Sequence, residues 1–219
     1  MTEPKAHHGG RRRRPTNATS SGSDPDSLRA QGLRTRNTIV RVARELLLEG
    51  GPLTFSQRAV AAGAGISVSN LQYYFPTRLA VLRAVIEPVI DAYLVELRRV
   101  LDSDASPDEV LERVTARSLR EAKDAQYGAL FRHFLSFATM DPECLKLFDG
   151  WYGTLTHEMA KLLRIVNPMF DVADSVHVAT LLISMADGLT LQSGAARHTQ
   201  SFDARFMEAA RCLVYEKRP

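Results

Sequence analysis

Between Ser56 and Arg78 the chain sets hydroxyl, amide, phenol and guanidinium groups at short intervals, at Ser56, Arg58, Ser67, Ser69, Asn70, Gln72, Tyr73, Thr77 and Arg78. The chemistry these groups share is hydrogen bonding and positive charge. An outward-facing Gln72 amide can pair with an adenine edge in a DNA major groove, and Val68 can meet a thymine methyl. Tyr73, Ser56, Thr77 and Arg78 suit phosphate oxygens, which accept from hydroxyl and guanidinium donors, and Arg58 on the exposed side of its helix can do the same. Asn70 lies toward one flank, where it can instead close a local cap with Ser67.

That chemistry needs elements to present it. Ile39, Val42, Ala43, Leu46 and Leu47 repeat at helical spacing from about Thr35, and Gly50-Gly51-Pro52 ends this first helix. A second short helix is expected over 57–64, with Val60, Ala61 and Ala64 inward and Phe55 anchoring its start. Gly65 takes the chain through a tight turn, Ile66 plugs the angle, and Ser67 caps a third helix. Leu71, Tyr74 and Phe75 anchor that helix, so Val68, Ser69, Gln72 and Tyr73 face outward. Helix, glycine turn and capped helix make a helix-turn-helix, whose second helix enters the major groove. Pro76-Thr77 stops it and starts a fourth helix, in which Pro88 predicts a kink or break.

The rest of the chain fits that reading. Its 219 residues carry a formal net charge of +3, divided unevenly as +7 over residues 1–80 and −4 over residues 81–219. A basic front joined to an acidic rear suits a nucleic-acid reader with a second domain. Residues 1–30 offer little to bury and read as a disordered basic tail, in which Arg11 to Arg14 can lie against phosphates. Residues 31–80 form the DNA-binding domain and 81–219 a helical rear domain. Ser106-Pro107-Asp108-Glu109 signals a helix start, and further helices are expected over about 107–121, 125–139, 142–164, 171–193 and 202–215. The expected fold class is all-α. Cys144 and Cys212 read as free thiols, no secretory or membrane-spanning run stands out, and the expected location is the cytoplasm.

Over residues 35–87 the sequence resembles the TetR family of bacterial transcriptional regulators. The resemblance rests on the run Val60-Ala61-Ala62-Gly63-Ala64-Gly65-Ile66-Ser67 and on Asn70-Leu71-Gln72-Tyr73-Tyr74-Phe75-Pro76-Thr77-Arg78 leading into Leu82. It implies a three-helix DNA-binding unit followed by a divergent ligand-binding and dimerisation domain. It also implies DNA contacts at Ser56, Arg58, Ser67, Val68, Ser69, Asn70, Gln72, Tyr73, Tyr74 and Arg78. The family often has lysine and glycine where this chain has Val68-Ser69, tyrosine where it has Gln72, and lysine where it has Arg78. These departures bear on which DNA is read.

In the rear domain Met185 to Leu191 looks like the family's Asp-Gly-Leu stretch, which gives Asp187 a structural role. Stripes of Val178, Leu181, Leu182, Met185 and Leu189, and of Phe206, Ala209, Ala210, Leu213 and Val214, suit a four-helix contact between two copies. The middle helices concentrate aromatics and methionines, and Phe131, Phe134, Leu135, Phe148, Trp151, Tyr152 and Met185 are the candidate lining of an effector pocket with polar handles at His133, Thr156 and His157. The histidines make no convincing zinc set, and no metal or cofactor is expected. The reading is a homodimer on a palindromic operator, a repressor by family analogy, released by a small molecule. Enzymatic activity is disfavoured because no nucleotide loop, nucleophile elbow or acid–base cluster is present. A helical adaptor without operator binding is the rival reading.

Overall fold

Two short helices carry the candidate reading surface, and long ones build the rear of the molecule. The computed structural model describes residues 25–192 and 200–215, and among these every regular element is a helix. In order these are α1 (Pro25–Thr54), α2 (Gln57–Gly63), α3 (Val68–Tyr74), α4 (Arg78–Leu101), α5 (Pro107–Lys123), α6 (Ala125–Met140), α7 (Pro142–Val166), α8 (Val172–Leu191) and α9 (Gln200–Tyr215). The chain up to Thr35 is one unit and Arg36 onward is another. In the first, helix begins at Pro25, ahead of the predicted start near Thr35, so residues 25–30 are ordered as helix. The Arg11–Arg14 run lies outside the described residues.

In the second unit α1 to α4 close around Ile39, Ala43, Leu47, Phe55, Val60, Leu71, Phe75 and Leu82, all nearly inaccessible to solvent. Removing a side chain such as Leu71 from water stabilises this packing by about 1.5–3 kcal/mol. Regular helix is interrupted at Gly51 (φ 63°, ψ −158°), as the Gly-Gly-Pro sequence predicts. Gly63 lets α2 cross close to α1, since a Cβ there would come 2.7 Å from Val42 Cγ1. Gly65 makes the turn with φ 67°, a backbone region that L side chains disfavour.

The hydrophobic cluster continues from these helices through α4 into α5 to α9 without interruption. A division near residue 80 is therefore not marked by any gap in packing. α4 also runs unbroken through Pro88, because the helix is held on either side by buried Val85, Ile86 and Ile90. The predicted α5 start is present as a reciprocal box: Glu109 N–H donates to Ser106 Oγ (3.4 Å) and Ser106 N–H donates to Glu109 Oε2 (2.8 Å).

The two apolar stripes expected to pair two copies face mainly inward. Val178, Leu182 and Leu189 of α8 and Phe206, Ala210 and Val214 of α9 are buried within the protomer, Met185, Ala209 and Leu213 are part-buried, and Leu181 is half exposed. The periodicity is that of a core. By length and composition α8 is apolar enough to cross a membrane, yet it packs against α5, α6, α7 and α9 and carries Asp174 and Asp187.

Candidate nucleic-acid interface and interior site

Three side-chain caps aim the surface around α3. Ser56 Oγ accepts from Ala59 N–H (3.1 Å), Ser67 Oγ from Asn70 N–H (3.1 Å) and Thr77 Oγ1 from Ala80 N–H (3.0 Å). Each hydroxyl uses its oxygen as acceptor and keeps its proton for an outside acceptor such as a phosphate. With Leu71 and Phe75 buried, helical rotation turns Ser69, Asn70, Gln72 and Tyr73 outward. Tyr73 is 82% exposed, its ring edge against Tyr74 at 5.1 Å. Gln72 makes one long contact, its amide donating to Gln57 Oε1 at 3.5 Å, and Gln57 in turn donates to the Phe75 carbonyl. The reading amide is thus free to find better partners.

Three expected contacts sit differently. Val68 and Tyr74 are half-buried against the core, so neither presents its whole side chain outward. Arg78 is already engaged. Its guanidinium donates to the Pro52 carbonyl (3.1 Å) and lies over the rings of Phe137 (4.7 Å) and Phe55 (5.7 Å). Phe137 belongs to α6, so this arginine ties the helix-turn-helix to the rear bundle. Spacing alone could not show that, because the partner lies far along the chain.

Residues 39–85 match the family model described as bacterial regulatory proteins, tetR family. The segment that carries α2 and α3 is therefore a TetR-family DNA-binding segment. The protein is a DNA-binding transcriptional regulator. It is 21% identical over 192 residues to the HTH-type transcriptional regulator UidR of Escherichia coli strain K12, covering 86% of this chain and 95% of that one. Salmonella enterica GusR shares the fold with a TM-score of 0.71 at 21% identity, over 83% of this chain and 96% of that one. A regulator from Saccharomonospora viridis, solved in complex with choline, does so with a TM-score of 0.67 at 18% identity, over 82% and 96%.

Inside the rear bundle two narrow crevices share Tyr127 and Trp151. One is apolar, walled by Ile86 and Ile90 of α4 and by Leu130, Phe131 and Phe134 of α6. The other is polar, walled by Tyr93, Ser118, Glu121, Asp187 and Thr190. The room each offers a water-sized sphere is small, about 20 Å³ in the apolar crevice and 30 Å³ in the polar one. Of the candidate pocket residues, Phe131, Phe134 and Trp151 line a crevice and Tyr152 reaches it through Asp187. Leu135, Phe148 and Met185 line neither. Phe148 stacks on Tyr152 (4.6 Å), and Met185 packs beside Leu119, Leu189 and Phe206.

The polar crevice is hidden from sequence reasoning because its charges come from helices far apart along the chain. Arg117 and Glu121 pair at 2.7 Å on α5, and the same guanidinium lies 4.4 Å from the Tyr93 ring centre. Asp187 accepts from the Tyr152 hydroxyl at 2.5 Å, and among the described residues no basic side chain pairs with it. Burial raises its pKa from 3.8 to about 6, against the lowering effect of that hydrogen bond. Burial likewise raises Tyr93 to about 12 and pushes Tyr127 and Tyr152 up, so all three phenols stay neutral. Trp151 Nε1 is buried without an acceptor among the described residues. An Asp within an apolar helical run is the one signal of this crevice that the sequence carries.

Proposed function

We propose that the chain acts as a homodimer that reads a palindromic operator through α3 and releases it when a small molecule occupies the rear bundle. Residues 31–80 are the reading head and 81–219 the sensing and pairing body, with Ser56, Arg58, Ser67, Ser69, Asn70, Gln72 and Tyr73 as the DNA contacts. The observation that carries the reading is the exposed Gln72–Tyr73 pair on a capped helix anchored by the fully buried Leu71. Pairing is supported by the outward face of α8, where Thr180, Leu181, Ser184 and Leu191 are exposed and small side chains permit close approach of a second copy. Two such heads need centres about 34–36 Å apart to meet successive major grooves.

Release is supported by the placement of α6. Phe131 and Phe134 wall the crevice, while Phe137 meets Phe55 edge-on at 5.7 Å and His133 sits against Gly51. A molecule that spreads the crevice pushes on the helix that carries the head, and it shifts the equilibrium if it prefers the spread state. The choline complex of the S. viridis regulator supports a small-molecule ligand for this fold. A regulator of transcription acts in the bacterial cytoplasm.

The test is selection of a site from random duplexes by the purified protein, followed by footprinting. The expected result is a palindrome. Gln72→Ala should relax one position by about 1–3 kcal/mol, and Tyr73→Ala should weaken all sequences alike. Absence of any enriched site, with weak salt-sensitive binding alone, would favour a helical adaptor.

A further inference from the structure

Resting on the reading of the rear bundle as a sensor, we infer that its interior site takes an organic cation with an apolar body, and that Asp187 is the counter-ion. Among the described residues Asp187 has no basic partner. It sits in the most apolar helix among them, and the Tyr152 hydroxyl is the one group there that hydrogen-bonds to it. A carboxylate taken out of water is normally paired, because uncompensated charge in a low dielectric is strongly unfavourable. Glu121, in the same crevice, follows that rule through Arg117, and Asp187 does not. The pair cancels, which leaves the crevice one net negative charge.

The walls agree in sign. Tyr93, Tyr127 and Trp151 line this crevice, with Tyr152 packed at a tilt against Trp151 at 5.1 Å between ring centres. Ring faces carry negative potential and attract ammonium groups, most of all where water is excluded. Trp151 adds an indole N–H that has no acceptor among the described residues, which an oxygen on the ligand can satisfy. Beyond Tyr127 and Trp151 the apolar crevice continues toward Phe131 and Phe134, a place for a hydrocarbon body. Tyr93 also lines the open groove between α4 and α5, so the site lies one side chain from water. A bound molecule must widen the crevice, which is what makes occupancy visible to α4 and α6.

Occupancy is also tied to pH. Around Asp187 stand Tyr93 from α4, the Arg117–Glu121 pair from α5, Tyr127 from α6 and Tyr152 from α7, while Asp203 of α9 is paired with Lys123. The phenols are neutral throughout, so protonation of Asp187 as pH falls through about 6 removes the attraction.

The experiment titrates the full-length protein by calorimetry with three molecules of one chain length: hexyltrimethylammonium, hexanol and hexanoate. The single tryptophan, Trp151, supplies a second readout by fluorescence. The cation should bind at least about tenfold more tightly than the alcohol, and the carboxylate least. Lowering the pH through 6 should weaken the cation alone. Asp187→Asn should lose about tenfold for the cation and leave hexanol unchanged. Equal binding of the alcohol or the carboxylate, or no binding by any of the three, overturns the inference. The series on the unmutated protein decides the matter even if the variant does not fold. Operator selection run beside it separates the two claims. A protein that selects an operator without preferring the cation refutes only this inference, and one that prefers the cation without selecting DNA refutes only the regulator reading.

Discussion

Asp187→Asn should make the ligand-free protein more stable at neutral pH. The unfolded carboxyl ionises near 3.8 and the folded one near 6, so between these values the folded state holds a proton that the unfolded state has lost. Stability therefore falls as pH rises through that window, and the climb from 3.8 to about 6 corresponds to about 3 kcal/mol. Above pH 6 the full penalty is present, and below 3.8 it is absent. Asparagine keeps an oxygen for the Tyr152 hydroxyl and removes the charge, but its amide group needs a new acceptor, which offsets part of the gain. A net gain of about 1–3 kcal/mol at pH 8 is expected, or about 3–10 °C in melting temperature for a chain of this size. The measurement is a set of thermal melts of both proteins from pH 4 to pH 8 without ligand. Only their difference matters, since the other carboxylates titrate in both. A variant less stable than its parent by the same amount at every pH would refute the reasoning, because Asp187 would then be a packing and hydrogen-bonding residue. A stabilising loss of charge is the expected signature of a group retained for binding rather than for folding.

Gly51→Ala should destabilise by about 2–4 kcal/mol, because its backbone lies in a region almost reserved for glycine and a Cβ would come 2.8 Å from His133 Cε1; a melting temperature within a degree of the parent would contradict this. Gly150→Ala, in helix with open space around it, serves as control and should hold or slightly raise stability. Arg78→Ala should lower stability by about 1–2 kcal/mol through loss of its ring and carbonyl contacts. It should leave the salt dependence of DNA binding nearly unchanged, whereas a phosphate contact would reduce that slope by about one.

Local chemistry is legible in the chain itself. Glycine at Gly65, caps at Ser56, Ser67 and Thr77, and the Ser106–Glu109 box depend on neighbours within a few residues, so spacing reveals them. The same holds for the outward turn of Gln72 and Tyr73, which follows once Leu71 and Phe75 are assigned to the core. Long-range relations are not legible in this way. The apolar stripes of α8 and α9 look alike whether they meet a partner or their own bundle, because burial has no address in a periodicity. Pro88 reads as a kink or a break, and packing on both sides carries the helix through it without a break. Arg78 reads as a phosphate clamp until Phe137, fifty-nine positions away, comes to lie beneath it. Asp187, Tyr152, Tyr127 and Tyr93 stand on four different helices, and only the fold brings a lone carboxylate and its rings to one crevice. Sequence determines which elements form, since hydrogen bonds and side-chain entropy act locally. Which charges and rings meet is decided by tertiary packing, which alone sets distance and dielectric.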